Sequence, residues 1–148
     1  MKNPNFAVLV TELQQLFEPG FRIDWMEGEE DEEASVQLVL DEEVFTLVMS
    51  ADSMRVIVFA DFGELDPQAS IGLHRRILEI NLALAAAGLG GIGIETDSDQ
   101  LHLVTTAPLA STDASTLYRS LRNMAVTARS WRTLQSEDAR MPQRQDAI

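Results

Sequence analysis

The sequence contains no cysteine, which removes disulfides, thiolate metal sites and cysteine nucleophiles together. Histidine is nearly as scarce, with only His74 and His102, and two imidazoles leave little for a zinc enzyme. Basic side chains are few as well: 11 Lys and Arg stand against 24 Asp and Glu, for a net charge of −13. Phosphate repels such a chain, so neither a nucleic acid nor an acidic membrane surface is an expected partner. Long apolar runs are also missing. The longest, Ile77 to Ile94, is interrupted by Glu79, Asn81 and four glycines, and reads as a buried helix end, a turn and a strand instead of a membrane span. Met1 to Val10 offers one Lys and a short apolar stretch from Phe6, which lacks the h-region of a secretory signal, so a cytoplasmic location is expected.

What is present is enough for one domain. A chain of 148 residues, 45% of them apolar, can bury roughly two thirds of its unfolded surface without metal or disulfide. We expect a single domain over 1–135 and a flexible polar tail over 136–148. The charge is uneven: residues 1–66 hold 16 acidic and 3 basic groups, and residues 67–148 hold 8 of each. Six acids fall within the seven residues 27–33, a run that reads as a solvated loop.

Apolar periodicity supplies the elements. Phe6, Leu9, Val10, Leu13, Leu16 and Phe17 recur at helical spacing, with Asn3-Pro4 as a start signal and Pro19-Gly20 as a stop. Residues 21–26 alternate and suggest a short extended segment. Val36–Leu40, Val44–Met49 and Arg55–Ala60 are β-rich and separated by hairpin-length breaks, so they predict an antiparallel meander of three to four strands. Asp66-Pro67 is the expected start of a second helix that ends near Ala87, with Gly88 just beyond. Its second half is apolar nearly all round and has to be covered on more than one side. Ile92–Glu95 and Leu101–Thr105 predict a β-hairpin. Ser111 or Thr112 is the expected cap of a last helix whose Leu117, Leu121, Met124, Ala125, Ala128 and Trp131 follow a period near 3.6. The order helix, meander, helix, hairpin, helix is an α+β arrangement.

Chemical motifs are weak. Gly88, Gly90 and Gly93 match G-x-G-x-x-G, but a helix precedes them and a strand follows, the reverse of a dinucleotide site. Asp97 and Asp99 resemble the start of a calcium loop without its glycine and closing Glu. Glu79 in an apolar stretch could have a raised pKa and act as a base, or face an arginine or a subunit edge. His102 should point opposite to Leu101 and Leu103. No P-loop, G-x-S-x-G or H-E-x-x-H occurs, and no cofactor is expected. The surplus apolar surface points either to another polypeptide, met through a groove or at a free strand edge, or to a plain two-layer core whose edges are covered internally.

The strings VQLVLD at 36–41, VFTLVM at 44–49, RVIVFADFGEL at 55–65 and the leucine-rich helix, glycine turn and hairpin over 77–109, with Asn81, occur here in one order. In that order, with the final helix carrying Leu117, Leu121 and Trp131, the chain resembles the class I type III secretion chaperones, the CesT/Tir-chaperone family, over about residues 4–135. The acidic run 27–33 and the stretch FRIDWM depart from that pattern. The resemblance implies a cytoplasmic homodimer that holds the N-terminal segment of one or more secreted effectors in a soluble, secretion-competent form without ATP, with the secretion ATPase as a further partner. It places the dimer contact at Leu78, Leu82, Leu84, Leu89 and Ile92. It places effector binding at Leu9, Leu13, Leu16 and Phe17 of the first helix and at Val36, Leu38, Leu47, Val56 and Val58 of the meander. A regulatory or adaptor protein of the same fold is the alternative, and a small hydrolase or isomerase using Glu79 a more distant one.

Overall fold

The computed structural model describes residues 4–16, 22–26, 34–50 and 54–141. The expected helix stop at Pro19-Gly20 and the acidic run 27–33 lie outside them. Helix α1 (Pro4–Leu16) is followed by strands β1 (Arg22–Met26), β2 (Ala34–Leu40), β3 (Glu43–Ser50) and β4 (Arg55–Glu64), helix α2 (Ile71–Ala86), strands β5 (Gly91–Ile94) and β6 (Gln100–Pro108), a short 3-10 turn over Leu109–Ser111, and helix α3 (Ala114–Arg140). The meander and the hairpin join into one antiparallel sheet, in the order β1-β2-β3-β4-β6-β5. The expected α+β order holds, and β1 and β5 are the two edges.

Turn chemistry fixes the register. Asp41 and Glu42 both take positive φ, 51° and 69°, and join Leu40 to its partner Glu43. This two-residue geometry matches the twist of the strands on either side. Glu43 is therefore the first residue of β3 and not the end of a polar break. In β4 the pairing steps from Asp61 opposite His102 to Gly63 opposite Leu101. Gly63 has φ 81°, and its N–H is held by the Asp61 side chain at 2.8 Å. The glycine bulge leaves Phe62 as the extra residue, buried on the core face.

One face of the sheet is covered. Val36, Leu38, Phe45, Leu47, Val56, Val58, Leu101 and Leu103 are buried there against Phe6, Leu9, Val10 and Leu13 of α1 and against α3. Every apolar residue of the periodic stripe in α3, Leu117 to Trp131, is buried. Polar ties reinforce this layer. The guanidinium of Arg132 pairs with the buried Glu43 carboxylate and donates to the Asp61 carbonyl at 3.2 Å. Arg129 donates to the Asp41 carbonyl at 3.1 Å, so α3 is stapled to the β2–β3 turn and to β4.

Three helix boundaries differ from expectation. Helix α2 begins at Ile71 with Ser70 as its cap, whose side chain accepts from Leu73 N–H at 3.0 Å; Asp66 instead caps a turn through Gln68 N–H. Asp113, not Ser111 or Thr112, caps α3, accepting from Thr116 N–H at 2.7 Å. A carboxylate offers the stronger acceptor to the free amides of a first turn, and the Asp113 carboxyl lies below its usual range for that reason. The tail expected from Ser136 is helical as far as Arg140, because Asp138 and Gln135 find partners on α2's cap and on the Glu64 carbonyl. Residues 142–148 lie outside the description.

Candidate interaction surfaces

Helix α2 is fastened at its two ends and at one point between. At its start, the Asp138 carboxylate of α3 accepts from the Ser70 hydroxyl and from the Ser70 N–H at 3.0 Å. These bonds hold the Asp138 carboxyl below its usual range. At its end, Gly88 with φ 70° allows Leu89 N–H to reach the Leu84 carbonyl at 2.9 Å and Gly88 N–H to reach Ala85 at 3.1 Å. This double closure needs a left-handed residue, hence the glycine. Midway, the Asn81 amide oxygen accepts from Ile92 N–H at 2.9 Å and ties α2 to β5. Gly90 is obligatory, because a Cβ there would lie 2.1 Å from the Val104 carbonyl oxygen. The three glycines of the G-x-G-x-x-G string thus serve a helix end and an edge strand.

Between these fastenings α2 buries only Leu73. Ile71, Leu78, Leu82 and Leu89, spaced by seven and four residues along one stripe, are 57–76% exposed. Ile94 of edge strand β5, the strand that Asn81 ties to α2, is 52% exposed as well. Of the expected dimer residues, Leu78, Leu82 and Leu89 lie on this exposed face, while Leu84 and Ile92 pack partly against the domain's own core. Covering one such leucine is worth about 1.5–3 kcal/mol, so a contiguous stripe of them is a strong docking surface. Glu79 is on the same helix but exposed, paired with Arg75 at 3.3 Å and Arg76 at 3.2 Å. The desolvated base considered from sequence is not there.

The expected effector residues are placed differently. Leu9, Leu13, Val36, Leu38, Leu47, Val56 and Val58 are no more than 4% exposed and form the core, so they cannot line an open groove in this fold. Leu16 is exposed on α1, and Phe17 lies outside the described residues. Apolar residues occupy both parities of the strands, and which parity the helices cover is decided by packing between distant elements. The accessible apolar positions are their alternates, Val39, Val44, Val48, Ile57, Phe59 and Val104, half-buried on the face opposite α1 and α3.

Two concavities flank these surfaces. A cleft of about 410 Å³ lies beside α1, between Val8, Glu12, Met54 and Leu109. A second, also about 410 Å³, lies on the open face of the sheet and is walled by Asp61, Glu64, Glu95 and His102. His102 points away from Leu101 and Leu103, as its strand position predicts, and its Nε2 is 2.6 Å from Glu95 Oε1. That bond, with one from the Ser98 hydroxyl, holds the Glu95 carboxyl below its usual range. Among the described residues no three His, Asp or Glu side chains are grouped to hold a metal ion, and no helix is long and apolar enough to cross a membrane.

The model of the Tir chaperone protein (CesT) family matches residues 20–132. Among solved structures, the chain is similar to one in the ExsC-ExsE complex, with a TM-score of 0.65, 18% identity, and coverage of 90% of this chain and 97% of that one. It is equally similar to a chain of the HopA1-SchA chaperone-effector complex, with a TM-score of 0.65, 17% identity, and coverage of 87% and 94%. At these identities the likeness is one of fold. No curated protein matches the chain in sequence.

Proposed function

Because the chain belongs to the Tir chaperone protein (CesT) family, we propose that it acts as a homodimeric type III secretion chaperone of the bacterial cytoplasm, gripping the N-terminal segment of one or more effectors. It keeps that segment soluble and presents it to the secretion apparatus, its ATPase included, by binding alone. The observation that carries this reading is the uncovered stripe Ile71, Leu78, Leu82 and Leu89 with Ile94. A helix that buries only Leu73 and leaves Leu78 and Leu82 facing water is half of an interface. A second copy is the occupant in this reading, since the stripe lies beside edge strand β5 and a two-fold axis can pair an uncovered apolar patch with its own copy.

With that stripe taken by dimerisation, the client is left the open face of the sheet, the cleft beside α1 and the edge of β1. Strand edges and half-buried valines suit an extended segment, which pairs through its main chain and sets alternate side chains into pockets. A chain of the HopA1-SchA chaperone-effector complex shares this fold. The net charge of −13 keeps a dimer with exposed apolar clefts soluble and favours basic clients.

The test is co-purification. The full chain, expressed in a type III secreting bacterium, should capture a secreted protein through its N-terminal segment, and deleting that segment should abolish capture. A partner that is never secreted would instead identify the regulatory or adaptor role, and measurable turnover lost in Glu79→Gln would identify an enzyme.

A further inference from the structure

Helix α2 carries the exposed stripe, yet its own sequence starts it poorly. Its first turn is Ile71, Gly72, Leu73 and His74, in which a β-branched residue and a glycine are weak helix formers. No acid lies in that turn. Arg75 and Arg76 follow directly, cations placed near the end of the helix where the free amides are already positive.

The carboxylate that such a start needs comes from another helix. Asp138, in the last turn of α3, accepts from Ser70 N–H at 3.0 Å on one oxygen and from the Ser70 hydroxyl on the other. The hydroxyl oxygen accepts Leu73 N–H at 3.0 Å, and the Ser70 carbonyl accepts His74 N–H at 3.2 Å. Asp138 thus fixes the cap residue through both of its donors, and the cap residue fixes the turn. One turn earlier in α3, the Gln135 amide donates to the Glu64 carbonyl at 3.1 Å. The linker 65–70 between β4 and α2 is therefore held at both ends by the closing turns of α3.

The exposed stripe is divided between two sets of fastenings. Leu82 and Leu89 belong to the half of α2 that Asn81 ties to β5 and Gly88 closes. Ile71 and Leu78 belong to the other half, which meets the domain through buried Leu73, half-buried Ile77 and the Asp138–Ser70 clasp.

We infer that Asp138 is a positioning residue for self-association: by clasping Ser70 it holds the start of α2 in the conformation that presents Ile71 and Leu78 to a second copy. This rests on the dimer reading above and adds the element that sets the strength of the dimer. Association needs both subunits in the competent conformation, so the loss counts twice. A start of α2 that is ordered about a third of the time in each free subunit weakens the dimer about tenfold. By reciprocity, association protects the clasp.

The experiment measures the dimer dissociation constant of the full-length protein by analytical ultracentrifugation, for wild type, Asp138→Ala, Asp138→Asn and Glu137→Gln. Amide hydrogen exchange at Leu73 and His74 is read below and above that constant. Asp138→Ala should stay folded by circular dichroism, exchange faster at both amides as a monomer, and dissociate about tenfold more readily. Asp138→Asn keeps an acceptor oxygen and should fall between. Glu137→Gln removes one negative charge from the same turn and should match wild type. Ile71→Ala should weaken the wild-type dimer and add little to Asp138→Ala, where that half of the stripe is already unfastened. An unchanged constant in folded Asp138→Ala, an equal rise in Glu137→Gln, or full additivity with Ile71→Ala overturns the inference and leaves the dimer standing. A wild type that remains monomeric removes the dimer reading, and this inference with it.

Discussion

Helices α2 and α3 are both rich in apolar residues, yet they end in opposite environments. Helix α3 concentrates its apolar residues on one stripe, and seven of its residues are buried in the domain. Helix α2 is apolar nearly all round in its second half, and one residue of the helix is buried. A sharply amphipathic helix fits against one layer and is satisfied by it, whereas a helix apolar on several sides outruns what one small domain can cover. The more hydrophobic helix is thus the more exposed, and its surplus marks where a second chain belongs. The polar ties run the same way. Helix α3 is stapled to the sheet by Arg129 and Arg132, while α2 is held at its cap by Asp138, midway by Asn81, and by its glycine closure.

This contrast can be broken by substitution, in decreasing order of expected effect. Trp131→Ala in α3 empties a fully buried position and should cost about 3–5 kcal/mol, lowering the thermal midpoint steeply and leaving much of the chain unfolded. Leu82→Asp in α2 should do the reverse: each subunit stays folded by circular dichroism, while the charge placed in the interface weakens dimerisation by about 2–4 kcal/mol, read from mass against concentration. Glu43→Gln, which leaves Arg132 without its carboxylate, should destabilise the folded chain by about 1–3 kcal/mol in urea titration. Asp138→Asn loosens the start of α2 at a cost under about 1 kcal/mol. Because the Asp138 carboxyl is lower in the folded protein, its contribution is complete above the ordinary Asp range and fades as pH falls through that range and below. The difference between wild type and Asp138→Asn should therefore be present at neutral pH and vanish in acid.

Local patterning made α3 readable in the sequence: the residues of its 3.6-period stripe are the ones that the sheet covers. The meander and hairpin were readable for the same reason, since their turns follow from short-range chemistry such as the Asp41-Glu42 pair between β2 and β3. What was not readable depends on contacts across the fold. The parity of β2, β3 and β4 that faces the helices cannot be told from strands apolar on both sides, so nothing local marks Val36, Leu38, Leu47, Val56 and Val58 as core, where the structure puts them, and not as the groove that the resemblance implies. Glu43 looked like part of a polar break because its partner, Arg132, is 89 residues away. Local signals favour Asp66-Pro67 over Ser70 as the cap, because the Asp138 carboxylate that locks Ser70 comes from the far end of α3. The cleft on the open face of the sheet is equally non-local, since Asp61, Glu95 and His102 are scattered along the chain and meet only through the pairing of β4, β6 and β5.

The most direct measurement is the mass in solution of the full chain beside Leu82→Asp, by light scattering at micromolar concentration. The expected result is a wild type at twice the chain mass of 16.4 kDa and a folded variant at the chain mass itself. A wild type at 16.4 kDa, or a variant that remains a dimer, would contradict the assignment of the α2 face to a second copy.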